Sequence, residues 1–254
     1  MRKIFYLLFL FTFVPYSFAS EYVIDLNLRD LSLKQYEYTS TVSESERIDF
    51  KYASGIKSYF SYFPKRVSAE MPVLVALHGA GRTGSSMVDK WAKSSERHSF
   101  VVVAPNGNGN NWNIGTDESG FIMAAVEHAL SSRKIKAKKV LLFGHSNGAT
   151  QAIALAAAHP ELFNAVAAHA GTLPTPIGAS GNRFHTENVR VALFLGDRDH
   201  IFSIASARDT VRWLSSKGAE SKLYILKNHG HWYYEDSDRI NESAWAFLMS
   251  ERGQ

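Results

Sequence analysis

The chain has 254 residues, 45% hydrophobic and 20% charged, with 17 glycines and 7 prolines, a composition that excludes disorder, collagen and coiled coil and fits one globular domain with a large core. Its formal charge of +4 includes Arg2 and Lys3, and without them 26 cations face 24 acids, too even a balance for a nucleic-acid partner. It has no cysteine, so disulfides, a thiol nucleophile and a thiolate-zinc site are excluded, and hydroxyl, imidazole and carboxylate chemistry remain.

The chain opens on the basic Met1-Arg2-Lys3, runs uncharged over residues 4–14, and passes Pro15 and a small-residue run at 17–20 before its first acid, Glu21. This pattern is that of a secretory leader, residues 1–19, cut after Ala19. The apolar run is nearer the ~7–15 residues of a leader core than the ~20 of a membrane-spanning helix. The expectation is therefore a mature domain, residues 20–254, released to the periplasm or outside the cell without stable membrane association. Residues 20–46 are polar and predict no clear element.

Beyond them, short apolar runs alternate with helical periods, the pattern of a mostly parallel sheet covered on both faces. The runs 47–52 and 59–63 alternate in polarity, as in a half-exposed antiparallel hairpin at a sheet edge, ended by Pro64. Continuous apolar runs at 73–77, 100–104, 140–143, 165–168, 191–195 and 223–226 are buried strands. Helical stripes follow from Phe121, Ile122, Ala125, Val126, Ala129 and Leu130, then from Ile204, Ala207, Val211 and Leu214, and last from Ile240, Ala244, Phe247 and Leu248. Residues 147–158 are rich in alanine and apolar almost all round, which predicts a buried central helix stopped at His159-Pro160.

Residues 140–148 read VLLFGHSNG, a strand, a turn centred on Ser146, then the alanine-rich helix. A serine hydroxyl is a weak nucleophile unless a sharp turn presents it beside a base, and a strand-to-helix turn does so with a helix N-terminus aimed at developing negative charge. The alternative for Ser146 is an ordinary helix N-cap. Residues 73–81 read VLVALHGAG, a strand entering a glycine-rich turn. The expected oxyanion donors are the backbone N–H of Ala80 in that turn and of Asn147 after the serine. His78 is expected to hold the turn by hydrogen bonds, not to act as base.

Asp197 and Asp199 both follow the 191–195 strand, at the C-terminal end where open parallel sheets place their sites, with Asp199 preferred. After the last core strand come His229 and His231. His231 is the preferred base, with Nε2 toward the serine and Nδ1–H toward the carboxylate, and His229 is the alternative. No further ligands with zinc spacing stand near this pair, so no metal is expected. Trp112, Phe202 and Trp232 flank these segments and are candidates to line an apolar acyl or alcohol pocket, although each also fits plain core packing. His128, His159, His169 and His185 read as ordinary helix, terminus or loop residues.

At these residues the chain resembles the α/β-hydrolase superfamily, and from 58 to 249 it is similar to the polyhydroxybutyrate-depolymerase-like esterases, with their feruloyl and acetylxylan esterase relatives. The carrying segments are LHGAGRTGSS (77–86), APNGNGNNWN (104–113), GHSNG (144–148), AAHAGTLP (167–174), GDRDHIF (196–202) and GHWYY (230–234). The resemblance implies the order nucleophile Ser146, acid Asp199, base His231, and hydrolysis of small or polymeric carboxylic esters through an acyl-serine without a cofactor. The family's Gly-x-x-Asp spacing favours Asp199 and its late Gly-His favours His231. Two positions depart from the family pattern: Ala149 stands where a second glycine is common, and Trp232 adjoins His231 directly. The same triad would also serve a carboxylesterase, thioesterase, lipase or peptidase, and the scaffold alone would serve a non-catalytic binding protein. Residues 172–189, with Pro174, Pro176, Gly178 and Gly181, lack an amphipathic helix, so no large lid is expected.

Overall fold

The computed structural model describes residues 20–25, 38–114, 116–174 and 186–252. The predicted leader, residues 1–19, lies outside them, as do residues 175–185 of the connection expected to lack a lid. Among the described residues a nine-stranded sheet runs in the order β1-β9-β8-β7-β6-β4-β5-β3-β2. Its strands are β1 (Ser20–Asp25), β2 (Ile48–Tyr52), β3 (Gly55–Tyr62), β4 (Glu70–Leu77), β5 (Val101–Pro105), β6 (Lys136–His145), β7 (Ala165–His169), β8 (Arg190–Gly196) and β9 (Glu220–Lys227). From β5 to β1 all pairings are parallel, and only the β2–β3 hairpin and its contact with β5 are antiparallel.

Among the described residues five α-helices cover the sheet: α1 (Gly84–His98), α2 (Ser119–Ser131), α3 (Asn147–Ala158), α4 (Ile204–Ser216) and α5 (Ser237–Met249). Alternation along each strand divides the core between the two faces. On β4, Val73, Val75 and Leu77 join one cluster with Phe121 and Ile122 of α2, Ile153 of α3, and Val211 and Leu214 of α4. Leu74 and Ala76 face the other cluster, with Met87 and Trp91 of α1 and Ile240, Ala244 and Phe247 of α5. Both faces of the central strands are thus buried, which is why they read as unbroken apolar runs.

Two elements differ from the sequence expectation. Helix α1 is absent from the periodic reading because much of its buried face is polar. Ser94 and Ser95 are buried there, their hydroxyls donating to Glu242 Oε1 (2.8 Å) and to the Phe100 carbonyl (2.5 Å). Strand β1, in a stretch that predicts no clear element, adds to the outer edge of β9. Tyr22 stacks on Tyr224 with ring centroids 5.2 Å apart, and Arg208 of α4 grips Glu21 through Nε and Nη2, each at 2.8 Å.

Candidate active site

Ser146 stands between β6 and α3 at φ 54°, ψ −119°, a backbone region where a side chain is strained. The turn is held on every side. The Ser146 N–H donates to the His169 carbonyl at 2.9 Å, and the Ser146 carbonyl accepts from Ala149 and Thr150 at 2.9 and 3.1 Å. A Cβ at Gly144 would stand 2.3 Å from the Gly148 carbonyl oxygen, and one at Gly148 would stand 2.3 Å from that of Leu77. Only glycine permits this approach. The Ser146 side chain makes no cap hydrogen bond to α3, which disposes of the N-cap alternative.

Its hydroxyl meets His231 instead. Ser146 Oγ lies 2.9 Å from His231 Nε2, and His231 Nδ1 lies 2.9 Å from Asp199 Oδ2. The other Asp199 oxygen accepts the N–H groups of Ile201 (2.8 Å) and Phe202 (2.9 Å). Of the two acids preferred by position, Asp199 is therefore the one that reaches the imidazole, with a side chain fully shielded from solvent. Asp197 is exposed. Burial works to raise the Asp199 pKa, but the hydrogen bonds from His231, Phe202 and Ile201 and the nearby imidazole outweigh it and hold the carboxyl below its ordinary value. With a carboxylate accepting at Nδ1, the proton of neutral His231 sits there and Nε2 offers its lone pair to the serine.

The turn after β4 is held by hydrogen bonds of a buried histidine. His78 is fully buried. Its Nε2 accepts from the Gly107 N–H at 3.0 Å, so its Nδ1–H donates to the Gly79 carbonyl at 2.8 Å. Burial pushes its pKa down to about 4, so it stays neutral and holds the loop. Ala80, two residues on, is exposed, in a turn closed by Arg82 N–H to Gly79 O at 3.2 Å and Gly81 N–H to Asn110 O at 2.9 Å. Asn147 is the first residue of α3, where a backbone N–H has no acceptor within its own helix. Its side chain clamps the neighbouring loop: Oδ1 accepts from the Trp112 N–H at 2.6 Å and Nδ2 donates to the Trp112 carbonyl at 3.2 Å.

The three aromatic candidates separate. Trp112 is only 3% exposed and its indole N–H donates to the His78 carbonyl at 3.0 Å, so its contacts tie the two loops together. Phe202 is half-buried, its ring centroid 5.9 Å from that of His231 and nearly parallel at 27°. Trp232, also half-buried, meets His231 edge-on at 6.1 Å and packs against the α1–α5 core.

His229, the alternative base, lies away from the serine, with its Nε2 2.9 Å from His169 Nε2. His169, which reads in sequence as an ordinary terminal residue, has no solvent exposure and contacts His145 as well, Nδ1 to Nδ1 at 3.1 Å. The available signal was positional: both rings end buried strands at the edge where the other site residues gather. His185 lies outside the described residues. Among the described residues no group of three or more His, Asp or Glu is arranged to hold a metal ion.

Comparison with known proteins agrees with this architecture. An acetylxylan esterase of Coprinopsis cinerea is 32% identical over 142 residues, 50% of this chain and 38% of the relative. A feruloyl esterase B of Neurospora crassa is 27% identical over 126 residues, 44% and 43% of the two chains. A poly(3-hydroxyalkanoate) depolymerase C of Paucimonas lemoignei is 29% identical over 126 residues, 44% and 30%. The chain thus spans less than half the length of these curated relatives. Among solved structures, a thermostable esterase superposes with a TM-score of 0.60 at 18% identity, covering 80% of this chain and 62% of its own. An S-formylglutathione hydrolase from Agrobacterium tumefaciens gives 0.59 at 17%, covering 80% and 94%. Both likenesses are of fold, that of the α/β-hydrolases. The Esterase family model matches residues 56–237, from β3 to the start of α5 and across every site segment described above, and the chain belongs to that family.

Proposed function

We propose that this protein is a serine esterase that hydrolyses carboxylic esters through an acyl-enzyme. The observation that carries this reading is the continuous contact Ser146 Oγ, His231, Asp199, with 2.9 Å at each step, at the C-terminal edge of a parallel sheet in a chain of the Esterase family. Ser146 Oγ attacks the ester carbonyl carbon while its proton passes to His231 Nε2, and Asp199 stabilises the imidazolium so formed. The carbonyl oxygen becomes an oxyanion facing the N–H groups of Ala80 and Asn147. As the carbonyl re-forms, the C–O bond to the alcohol breaks and His231 returns its proton to the departing oxygen. A water molecule then repeats the sequence in reverse, giving its proton to His231, forming the new C–O bond and releasing the acid and Ser146.

The substrates proposed are acetyl, feruloyl or hydroxyalkanoate esters, the chemistry that the names of the three relatives carry. Phe202, flat against the base and half-exposed, is the proposed wall of the acyl or alcohol pocket. Trp232 is a second wall, and Trp112 acts from behind the loops. Export is proposed from the leader pattern of residues 1–19. No helix of the described residues is long and apolar enough to cross a membrane.

The test is a fluorophosphonate probe followed by a panel of p-nitrophenyl esters of rising chain length beside feruloyl and acetyl-sugar esters. Labelling at Ser146 with turnover of at least one ester class is expected. An unlabelled protein would point instead to a binding function on a hydrolase scaffold. For export, the N-terminus of the protein from its native host should read from Ser20 or Glu21, and a chain starting at Met1 in a membrane fraction would contradict it.

A further inference from the structure

Behind the base lies a second polar system that the hydrolytic steps do not use. His145 Nδ1 is 3.1 Å from His169 Nδ1, His169 Nε2 is 2.9 Å from His229 Nε2, and His229 Nδ1 faces Asp236 Oδ2 at 3.3 Å. These four residues come from β6, β7, the loop after β9 and the turn entering α5. All are buried, the histidines 2%, 0% and 1% exposed and Asp236 8%. His229 Nδ1 and Asp236 Oδ2 are buried and complete no hydrogen bond, to each other or to any other group, and they face one another across the 3.3 Å contact, each the nearest answer to the other's need for a partner. Tyr233 walls the system, its ring centroid 5.5 Å from His145 and 5.6 Å from His169.

The near end touches each working part of the site. His145 is bonded in sequence to Ser146, and its ring centroid is 5.3 Å from that of His231. Its Cδ2 would lie 3.1 Å from a Cβ at Gly79, the residue that opens the donor turn. The plane of the His145 ring therefore bears on nucleophile, base and donor loop together.

We propose that Asp236, His229, His169 and His145 form a one-directional imidazole chain whose carboxylate end sets the tautomer and ring orientation of His145, making all four positioning residues for the serine site. The direction follows from donor and acceptor arithmetic. A carboxylate only accepts, so His229 carries its proton on Nδ1 and accepts on Nε2. His169 must then carry its proton on Nε2 and accept on Nδ1, and His145 must carry its proton on Nδ1. Burial, reinforced by the neighbouring imidazoles, pushes His145 and His169 well below the ordinary histidine pKa, which keeps both rings neutral, as the chain requires. In a buried site such a network favours one arrangement, because turning the ring of His169 or His229 disrupts two of its contacts and turning His145 disrupts the one to His169. The functional part of this inference rests on the esterase reading, while the tautomer pattern does not.

The experiment reads both. Nitrogen-15 histidine spectra of the full-length protein near neutral pH, assigned with single-histidine variants, should show protons on Nδ1 of His145 and His229 and on Nε2 of His169. The opposite set, or rapid tautomer exchange at these three rings, overturns the proposal whether or not the protein hydrolyses an ester. On an ester that the panel identifies, Asp236→Leu, which keeps the branched skeleton at somewhat greater bulk and removes the acceptor, should lower kcat about tenfold to a hundredfold with little change in KM. Asp236→Asn keeps an acceptor oxygen for the same N–H and should retain most of kcat. Equal losses in the two variants, or none in either, would overturn the positioning role. If Asp236→Leu does not fold, the wild-type spectrum still decides.

Discussion

Gly196 and His229 are in backbone contact: a Cβ at Gly196 would stand 2.0 Å from the His229 carbonyl oxygen. The same oxygen accepts the Arg198 N–H at 3.0 Å, and the Asp197 N–H donates to the Leu226 carbonyl at 3.1 Å. The turn that carries Asp199 is therefore docked main chain to main chain on the loop that leads to His231. Asp199 and His231 keep their 2.9 Å contact through this docking as well as through their own hydrogen bond. Gly196→Ala should force the two loops apart, costing about 1–3 kcal/mol in denaturant unfolding and lowering kcat. Unchanged stability and kcat would show that the docking does not set the distance.

The acid makes a sharper comparison. Asp199→Asn replaces an acceptor that fixes the His231 proton on Nδ1 with a group able to donate to it, and should cost on the order of 10⁴ in kcat, as in the worked serine-protease case. Asp197→Asn, at an exposed position, should leave kcat within a few-fold. Steady-state kinetics on one soluble ester settles the ranking, and the reverse order would move the acid to Asp197.

Ser146, the proposed nucleophile, also carries a conformational cost. At φ 54°, ψ −119° a side chain is strained by about 1–3 kcal/mol, whereas glycine is not. Ser146→Ala and Ser146→Gly should both fold and both lose nearly all hydrolysis, but the glycine variant should have the higher Tm. The conformational freedom of glycine in the unfolded chain works against this and reduces the gain to about 1 kcal/mol. An alanine variant equal to or above the glycine variant in Tm would mean the turn is relaxed.

Much of this arrangement was readable from residue order, because the strands of a parallel sheet are buried on both faces and end where the site residues begin. VLLFGHSNG shows a strand, a tight turn and a helix in nine residues, and their physical meaning is local. What distance in sequence hides is pairing. Nothing local distinguishes Asp197 from Asp199 as strongly as the pair of N–H groups, from Ile201 and Phe202, that turn one carboxylate inward. Helix α1 escaped because Ser94 and Ser95 fill its buried face through hydrogen bonds to Glu242 and Phe100, and a periodicity of apolar residues cannot register buried hydroxyls. Strand β1 escaped because one edge strand of six residues is defined by its neighbour β9 more than by its own pattern. His169 reads as an ordinary terminal residue for the same reason, since its meaning lies in rings from separate strands.

Those buried rings also fix how the protein should respond to acid. His78, His145 and His169 all have their pKa lowered from the ordinary 6.5 by burial, His78 to about 4 and the other two well below 6.5. In the unfolded chain each takes up a proton as pH falls through its ordinary value, while the folded protein refuses it. The unfolded state therefore binds more protons, and stability must fall as pH falls below 6.5. Once the unfolded histidines are charged, three such groups give a slope of up to about 4 kcal/mol per pH unit. The loss continues until the folded pKa of each is reached, near 4 for His78. Asp199, held below its ordinary value, acts with the same sign but only at still lower pH, where carboxylates begin to protonate. Urea unfolding at a series of pH values from neutral to about 5 should show the steep loss before any carboxylate titrates. His78→Gln, which keeps a donor and an acceptor for Gly79 and Gly107 but does not titrate, should remove roughly a third of the slope. A flat profile from neutral pH down to about 5, or an unchanged slope in that variant, would show that these histidines are not held neutral in the folded protein.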